Sequence, residues 1–544
     1  MKRIGKNSGI QSINNINQNR TMITNRFLKT LALPVAAALG MFAASCSNDD
    51  NILDEQQPSA AKYEIPVTVS ATRSGDDAST RAVYDSESKK LNFEEGDQLF
   101  IQGTDATAGT FAGLLSNTAG APGTFSGTLT TTSEYTGTFG ELFSSATSLT
   151  ATLLPKDYGT EAAGYLTLSG SGASQTLTVD ATKAFVTAAS ADAAKKLAIE
   201  QLSLEQATAY STGFALAPVN AVLNYSIAAN SLSAGTHTMF VHNGNGLSIS
   251  GSITAVTDAA TTFAVALPAD ASTSRNYSLC TLGYNDIVKT GKALTEGKVF
   301  NISATASENA NAPLPGAFTV GDGKQVRFAK GNLRYASGTW SFFDNQYDYY
   351  TSYSADAWDK FGWSTSATTY GMNTSTSNTY SSDFVDWGAT MGTGWRTLTS
   401  DEWEYIFNTR AASTVNSVEN ARYAKATVAG KTGMILFPDT YTHPSDVTQQ
   451  PTSINTANAA FTSNSYDATA WGKMEAAGCI FLPAAGYRYG TYVYGVGSSG
   501  DYWSSKPNDT NYAYGVLFSA SVVSPQSSSS RYNGYSVRLV RDAE

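Results

Sequence analysis

Cysteine and histidine are scarce in this chain, with three of each among 544 residues, and only 15% of its residues carry charge. Cys46, Cys280 and Cys479 are too few and too widely spaced to build a disulfide framework or a thiolate zinc site. With only His237, His242 and His443 available, histidine-dependent triads and histidine–carboxylate metal centres are hard to assemble within one domain. His237 and His242 flank an apolar strand-like run at an odd separation, so they fall on opposite faces, and both read as surface residues rather than ligands. A basic stripe is also lacking, and the net charge of -10 excludes a nucleic-acid binder. The hydrophobic fraction of 42% is ordinary, so the surface must be coated with Ser, Thr, Asn, Gly and Tyr, as on an extracellular β-rich protein. The length implies three or four domains.

The apolar run Leu31 to Ala44 is too short to span a bilayer and follows Arg26 and Lys29, the order of a secretory signal. Ala43, Ala44 and Ser45 lead into Cys46, and this junction resembles a bacterial lipobox, which implies lipidation of Cys46. Residues 1–46 are then a lipoprotein signal, with Met22 as an alternative start. Residues 47–61 form an acidic linker with Asp49, Asp50, Asp54 and Glu55. That linker resembles the tract that directs lipoproteins of some Gram-negative anaerobes to the outer face of the outer membrane. The expected location is therefore the outer membrane, lipid-anchored and facing outward, with the anchor as the only membrane contact. Cys280 and Cys479 are left as unpaired small apolar residues.

From Lys62 the pattern has a period of two. Ile65, Val67 and Val69 alternate with Glu64, Pro66 and Thr68, the mark of a half-buried strand. The segment EEGD at 94–97 reads as a turn, and strand-like runs recur at 98–101, 110–115, 124–129 and 148–154. Helix formers crowd only in 190–210, after which strands resume to residue 304. The combination TRAVYDSESKKLNFEEGDQLFI, SLTATLLP, NAVLNYSI and GKALTEGKVFNISATA is similar to the fimbrillin family of outer-membrane pilins. The resemblance implies two tandem transthyretin-like β-sandwiches, at 62–185 and 186–306, and association with other fimbrial subunits by strand donation. It also places Arg73 and Arg81 in a polar loop where such pilins are trimmed. Unlike a shaft pilin, this chain continues past the second sandwich, which favours a tip subunit or a standalone surface protein.

A polar linker at 307–315 precedes an aromatic-rich region at 316–544, in which Tyr347, Tyr349 and Tyr350 are candidates for the outside. Thr399 and Glu402 have the spacing of a capping box, Leu398 and Trp403 that of a hydrophobic staple, and Trp403, Ile406 and Phe407 form one apolar face. A second short helix is expected over 355–361. The series GWRTLTSDEWEYIFNTR, GYRYG, DYWSS, YAYGVLF and GYSVRLVRD resembles the C-type lectin-like fold of the formylglycine-generating-enzyme and major-paralogous-domain type. The fold class expected for the whole chain is thus multi-domain and mainly β, two sandwiches followed by an α+β lectin-like domain. The resemblance implies that the first and last strands of that domain pair, Val326 to Phe328 beside Val537 to Val540, with loops gathered on one ligand-binding side.

Enzymatic relatives of that branch use two cysteines, whereas this domain has Cys479 alone, so the expectation is no enzyme, with a degenerate oxidase as an alternative. Carboxylate neighbours Asp401 and Glu402, or Asp383 and Asp386, read as capping and loop residues rather than a glycosidase pair. No cofactor is expected; the Trp-Asn-Asp run of ordinary C-type lectins does not occur, DYWSS at 501–505 keeping only the Trp, and a structural calcium stays open. The Tyr, Asn, Ser and Gly mix near the C-terminus is that of a recognition surface. Ligand-binding candidates are Tyr487, Tyr489, Tyr492, Tyr494, Asn508, Asn511, Arg531, Tyr532 and Asn533. Tyr512 and Tyr514 are discounted, since alternation from Val516 and Phe518 turns them inward. The expected function is a surface adhesin or fimbrial tip protein that binds glycan or a host or bacterial surface protein. A structural pilin subunit is the alternative.

Overall fold

A computed structural model of the chain describes residues 63–73, 93–156, 165–180, 183–377 and 383–543. Cys46, the apolar run before it, the acidic linker and Arg81 lie outside the described residues. The protein is mainly β and multi-domain, with its strands divided among many sheets.

Seven strands close into the first unit, in the order Glu64–Arg73, Phe214–Pro218, Glu205–Ala207, Ser148–Leu154, Gln98–Asp105, Gly109–Asn117 and Thr124–Thr131. Ile65, Val67, Val69 and Ala71 enter the core on alternate positions while their neighbours are exposed or half-buried, as the period-two pattern requires. The expected turn at 94–97 is closed by Asp97, whose carboxylate accepts from the Glu94 and Lys156 amides. The trimmed-loop expectation for Arg73 is overturned. Arg73 ends the first strand and makes a bidentate pair with Glu205 (2.9 and 2.7 Å), with both side chains buried. A guanidinium held in this way is withdrawn from solvent and ties the first strand across the barrel seam.

In the second unit, two four-stranded sheets face each other across one core. One runs Val299–Ala304, Asn220–Ile227, Thr261–Pro268 and Phe185–Ala188; the other runs Ser248–Ala255, Gly235–His242, Asp270–Cys280 and Ile287–Leu294. The expected division at residue 186 is crossed by the chain. Phe185–Ala188 and the helix Ala191–Leu197 belong to the second unit, but strands 205–207 and 214–218 return to the first before the second resumes at Asn220. The return has a physical reason, because without those two strands the first sheet would stay open with two unpaired edges.

The C-terminal region holds all eight tryptophans, between residues 340 and 503. The strand Lys324–Phe328 pairs with the last strand, Leu539–Asp542, with Phe328 opposite Val540 and Val326 opposite Asp542, while the first strand, Phe318–Gly321, pairs with Lys324–Phe328 and not with the last. The capping box is present: Thr399 Oγ1 accepts from the Glu402 amide at 3.2 Å, and Glu402 Oε2 accepts from the Thr399 amide at 2.8 Å. Leu398, Trp403, Ile406 and Phe407 are buried behind it. The helix expected at 355–361 is absent. Ala357–Trp358 is instead a short strand against Tyr335 and Ala336, and the Lys360 ammonium is buried on the Tyr350 carbonyl and the Asp359 carboxylate. The second longer helix lies at Ala468–Ala476. Tyr347, Tyr349 and Tyr350 are half-buried rather than outside.

The linker is only partly a polar joint, since residues 312–315 are buried. Arg327 donates to the Leu314 and Pro313 carbonyls, both at 3.0 Å, to Asp286 at 2.6 Å and to the Cys280 sulfur at 3.0 Å. From the other side, His242 Nε2 donates to the Pro315 carbonyl at 2.7 Å. The surface expectation for His242 is therefore corrected: it is fully buried, whereas His237 stays half-exposed on the opposite strand face. Burial, and then the Arg327 guanidinium, push the His242 pKa down to about 4.

A base depressed in the folded state costs stability below its unfolded pKa, where the unfolded chain takes up a proton that the fold refuses. Stability should thus fall as pH drops from about 6.5 toward 4, by about 3 kcal/mol from this residue. Denaturant unfolding at both ends of that window, with His242→Gln as reference, measures it. Equal slopes for the two proteins would refute the assignment.

Candidate functional site

The candidate site is built on a short hairpin, Tyr487–Tyr489 paired with Tyr492–Tyr494 through a turn at Gly490 and Thr491. Its register places Tyr487 opposite Tyr494 and Tyr489 opposite Tyr492, so period two sends all four tyrosines to one face and Arg488 and Val493 to the other. The outward face is open: Tyr489, Tyr492 and Tyr494 are 40%, 68% and 46% exposed, and Tyr487 is half-buried. The rings form a connected set, with Tyr487 stacked on Tyr494 at 5.7 Å and Tyr492 tilted against Tyr494 at 6.4 Å.

Arg488 anchors the inner face. Its guanidinium lies 5.2 Å from the Trp358 ring centre, and it donates to the Gly490 carbonyl at 2.8 Å and the Lys360 carbonyl at 3.2 Å. Its backbone exchanges two 2.8 Å bonds with Gly534. That exchange brings the 531–534 turn alongside, and Tyr532 meets Tyr489 edge-on at 5.7 Å.

At the base of the hairpin, Gly486 has φ +69° and donates its amide to the Ser499 carbonyl. A Cβ there would lie 2.0 Å from the Tyr494 carbonyl oxygen. Gly486→Ala should therefore cost about 2 to 4 kcal/mol, through both the backbone and the clash. Thermal unfolding and proteolysis within 487–494 would show it, and an unchanged melt would refute the geometry. Beneath the base, Asp501 is buried with Ser499 Oγ at 2.6 Å, and burial pushes its carboxyl up to about 6.

The remaining sequence candidates separate. Asn511 stays exposed and is joined to the site by the Arg531 amide donating to its carbonyl at 3.0 Å. Asn533 is half-buried in the turn. Asn508 is exposed, with its amide directed to Ser528 Oγ at 2.9 Å. Arg531 does not present itself to ligand. It is buried, its guanidinium lies over Trp363 at 4.3 Å and donates to the Tyr512 and Asp509 carbonyls, and it fixes the 509–512 loop. Tyr512, discounted from alternation, is 41% exposed. A register shift between Gly515 and Leu517 changes the phase of that strand, so the inward set at Val516 and Phe518 does not continue to Tyr512.

A family model described as a domain of unknown function (DUF8237) matches residues 449–540, a stretch containing the whole hairpin and every ligand-binding candidate. Among curated proteins nothing matches. Fimbrial and cell-adhesion proteins are among the solved structures this chain resembles. A fimbrial protein from Bacteroides ovatus is 11% identical, with TM-score 0.19, covering 87% of this chain and 98% of its own. A candidate cell adhesion protein from the same species is 10% identical, with TM-score 0.23, covering 46% and 97%. The tip fimbrial protein Mfa3 of Porphyromonas gingivalis, with a C-terminal truncation, is 9% identical, with TM-score 0.17, covering 42% and 80%.

Three of the four carboxylates considered for chemistry are engaged elsewhere, and Asp383 is exposed. Asp386 accepts from the Gly388 and Thr397 amides and the Thr397 hydroxyl, Asp401 pairs with Lys506, and Glu402 caps its helix and pairs with Arg396. Cys280 and Cys479 are free and fully buried, and burial pushes both thiols up, away from the reactive thiolate. A polar recess of about 620 Å3 also opens between the second unit and the C-terminal region, lined by Thr238, Ser252, His443, Asp446 and Lys473 among others. Its walls carry no Tyr, Trp or Phe, and Asp446 and Lys473 are paired with each other at 2.6 Å.

Proposed function

We propose that this protein is a cell-surface adhesin or fimbrial tip protein, anchored in the outer membrane through a lipid on Cys46 and facing outward. In this reading the closed seven-stranded barrel and the two-sheet sandwich are transthyretin-like units forming a stalk, and the C-terminal region is a C-type lectin-like head that binds without catalysis. Fimbrial subunits are further partners of the stalk. The pairing of the early strand Lys324–Phe328 with the last strand and the capped helix between them support the lectin-like reading of the head. The observation that carries the function is the tyrosine face. Tyrosines gathered on one side of a braced ribbon offer rigid amphipathic contact area at low entropic cost. Burial of Cys479 with a raised pKa stands against the oxidase alternative.

Beads carrying the full chain, washed over layers of epithelial or bacterial cells, test the reading. Retention well above that of uncoated beads, blocked by soluble protein, is expected. Retention equal to uncoated beads would overturn it.

A further inference from the structure

Resting on the recognition reading above, we infer that the tyrosine face takes an uncharged glycan, its sugar rings stacked on Tyr489, Tyr492 and Tyr494, with no bridging cation. The strongest argument is charge. Arg488 and Arg531 are the two cations built into this site, and both are buried with their guanidinium groups directed inward to backbone carbonyls and tryptophan rings. An acidic sugar or phosphate is normally met by an exposed arginine or lysine, and among the described residues the hairpin's tyrosine face offers neither. Of the nearby carboxylates, Asp501 is buried, while Asp509 is exposed with Oδ1 accepting from the Asn511 and Tyr512 amides, and an exposed carboxylate repels an acidic sugar. Among the described residues no cluster of three or more His, Cys, Asp or Glu is arranged to hold a metal ion.

What the face does offer is rings edged by neutral polar groups. Tyr492 and Tyr494 sit 6.4 Å apart along one strand with Tyr489 across the hairpin from Tyr492, and Thr376 lies beside the turn at Gly490. Asn511 is exposed in the loop tied to the 531–534 turn through the Arg531 amide. A pyranose presents an apolar C–H face for an aromatic ring and equatorial hydroxyls for amides and hydroxyls, so it matches both parts of this surface. A protein partner would instead be expected to meet arginine as well as aromatic anchors on the contact face.

The test uses the full chain and soluble neutral glucan, mannan and galactan oligosaccharides, set against oligogalacturonates and sialylated oligosaccharides of matched length. Binding of at least one neutral probe is expected. It should change by less than about 2-fold between about 0.05 and 0.5 M NaCl and be unaffected by EDTA. Tyr492→Ala should weaken it by about 10-fold, whereas Tyr492→Phe, which keeps the ring, should bind nearly as wild type. Preference for the acidic probes, loss with EDTA, or indifference to Tyr492→Ala would each overturn the inference. If beads are retained on cells but no neutral oligosaccharide binds, the glycan inference falls and the adhesin reading stands. If beads are not retained either, both fall.

Discussion

Replacing Tyr489, Tyr492 and Tyr532 together by Ala should bring bead retention on cell layers down to background while moving the thermal midpoint by no more than about 3 °C. The separation of the two effects follows from where the rings lie. Tyr492 is 68% exposed and Tyr489 is 40% exposed, and Tyr489 and Tyr532 meet each other edge-on rather than entering the core. Little buried area is lost with them, so the transfer cost is small. The hairpin stays upright because its brace is on the other side, in Arg488 and the paired backbone of Gly534. Tyr487 is left out of the triple because it is half-buried, stacked on Tyr494 and in edge contact with Tyr535. A large drop in melting temperature would mean that the three rings are structural, and unchanged retention would place recognition elsewhere on the molecule.

Arg327→Ala should cost about 3 to 5 kcal/mol and uncouple the C-terminal region from the second β unit. Arg327 supplies the donors for two linker carbonyls, the Asp286 carboxylate and the Cys280 sulfur. Removing it leaves Leu314 and Pro313 with buried carbonyls and no donor, which costs more than the bonds themselves contribute. Arg327→Lys should recover only part of the loss, because an ammonium cannot span the same fork of acceptors. Denaturant unfolding should then resolve two transitions in place of a shared one, with increased cleavage in 307–315. A single transition at the wild-type midpoint would show that the joint does not depend on this residue.

How much of this was legible in the chain varies by element. The strand at Glu64 was plain because alternation is a local property, and the helix at Thr399 was plain because its cap and staple lie within a few residues of each other. The pairing of Val326 and Phe328 with the last strand of the C-terminal region was expected from the resemblance at both of its ends. Arg531 and Tyr512 were misassigned for one reason: exposure depends on register and on partners distant in sequence. A bulge reversed the phase at Tyr512, and Trp363, 168 residues before Arg531, drew its guanidinium inward. The inward turn of Arg488 could have been inferred from its place between Tyr487 and Tyr489, had alternation been applied to the hairpin.

The sequence by itself determined the mainly β character, the capped helix, the pair of unpaired cysteines and the segment where tyrosines concentrate, since each is set by composition or by spacing within a few residues. Only the tertiary structure decided that strands 205–207 and 214–218 close the first barrel and that His242 and Arg327 lock a buried joint. It also decided which tyrosines face solvent. These outcomes rest on which strand edges find partners and which polar groups lose water, and both are fixed by contacts between residues far apart in the chain.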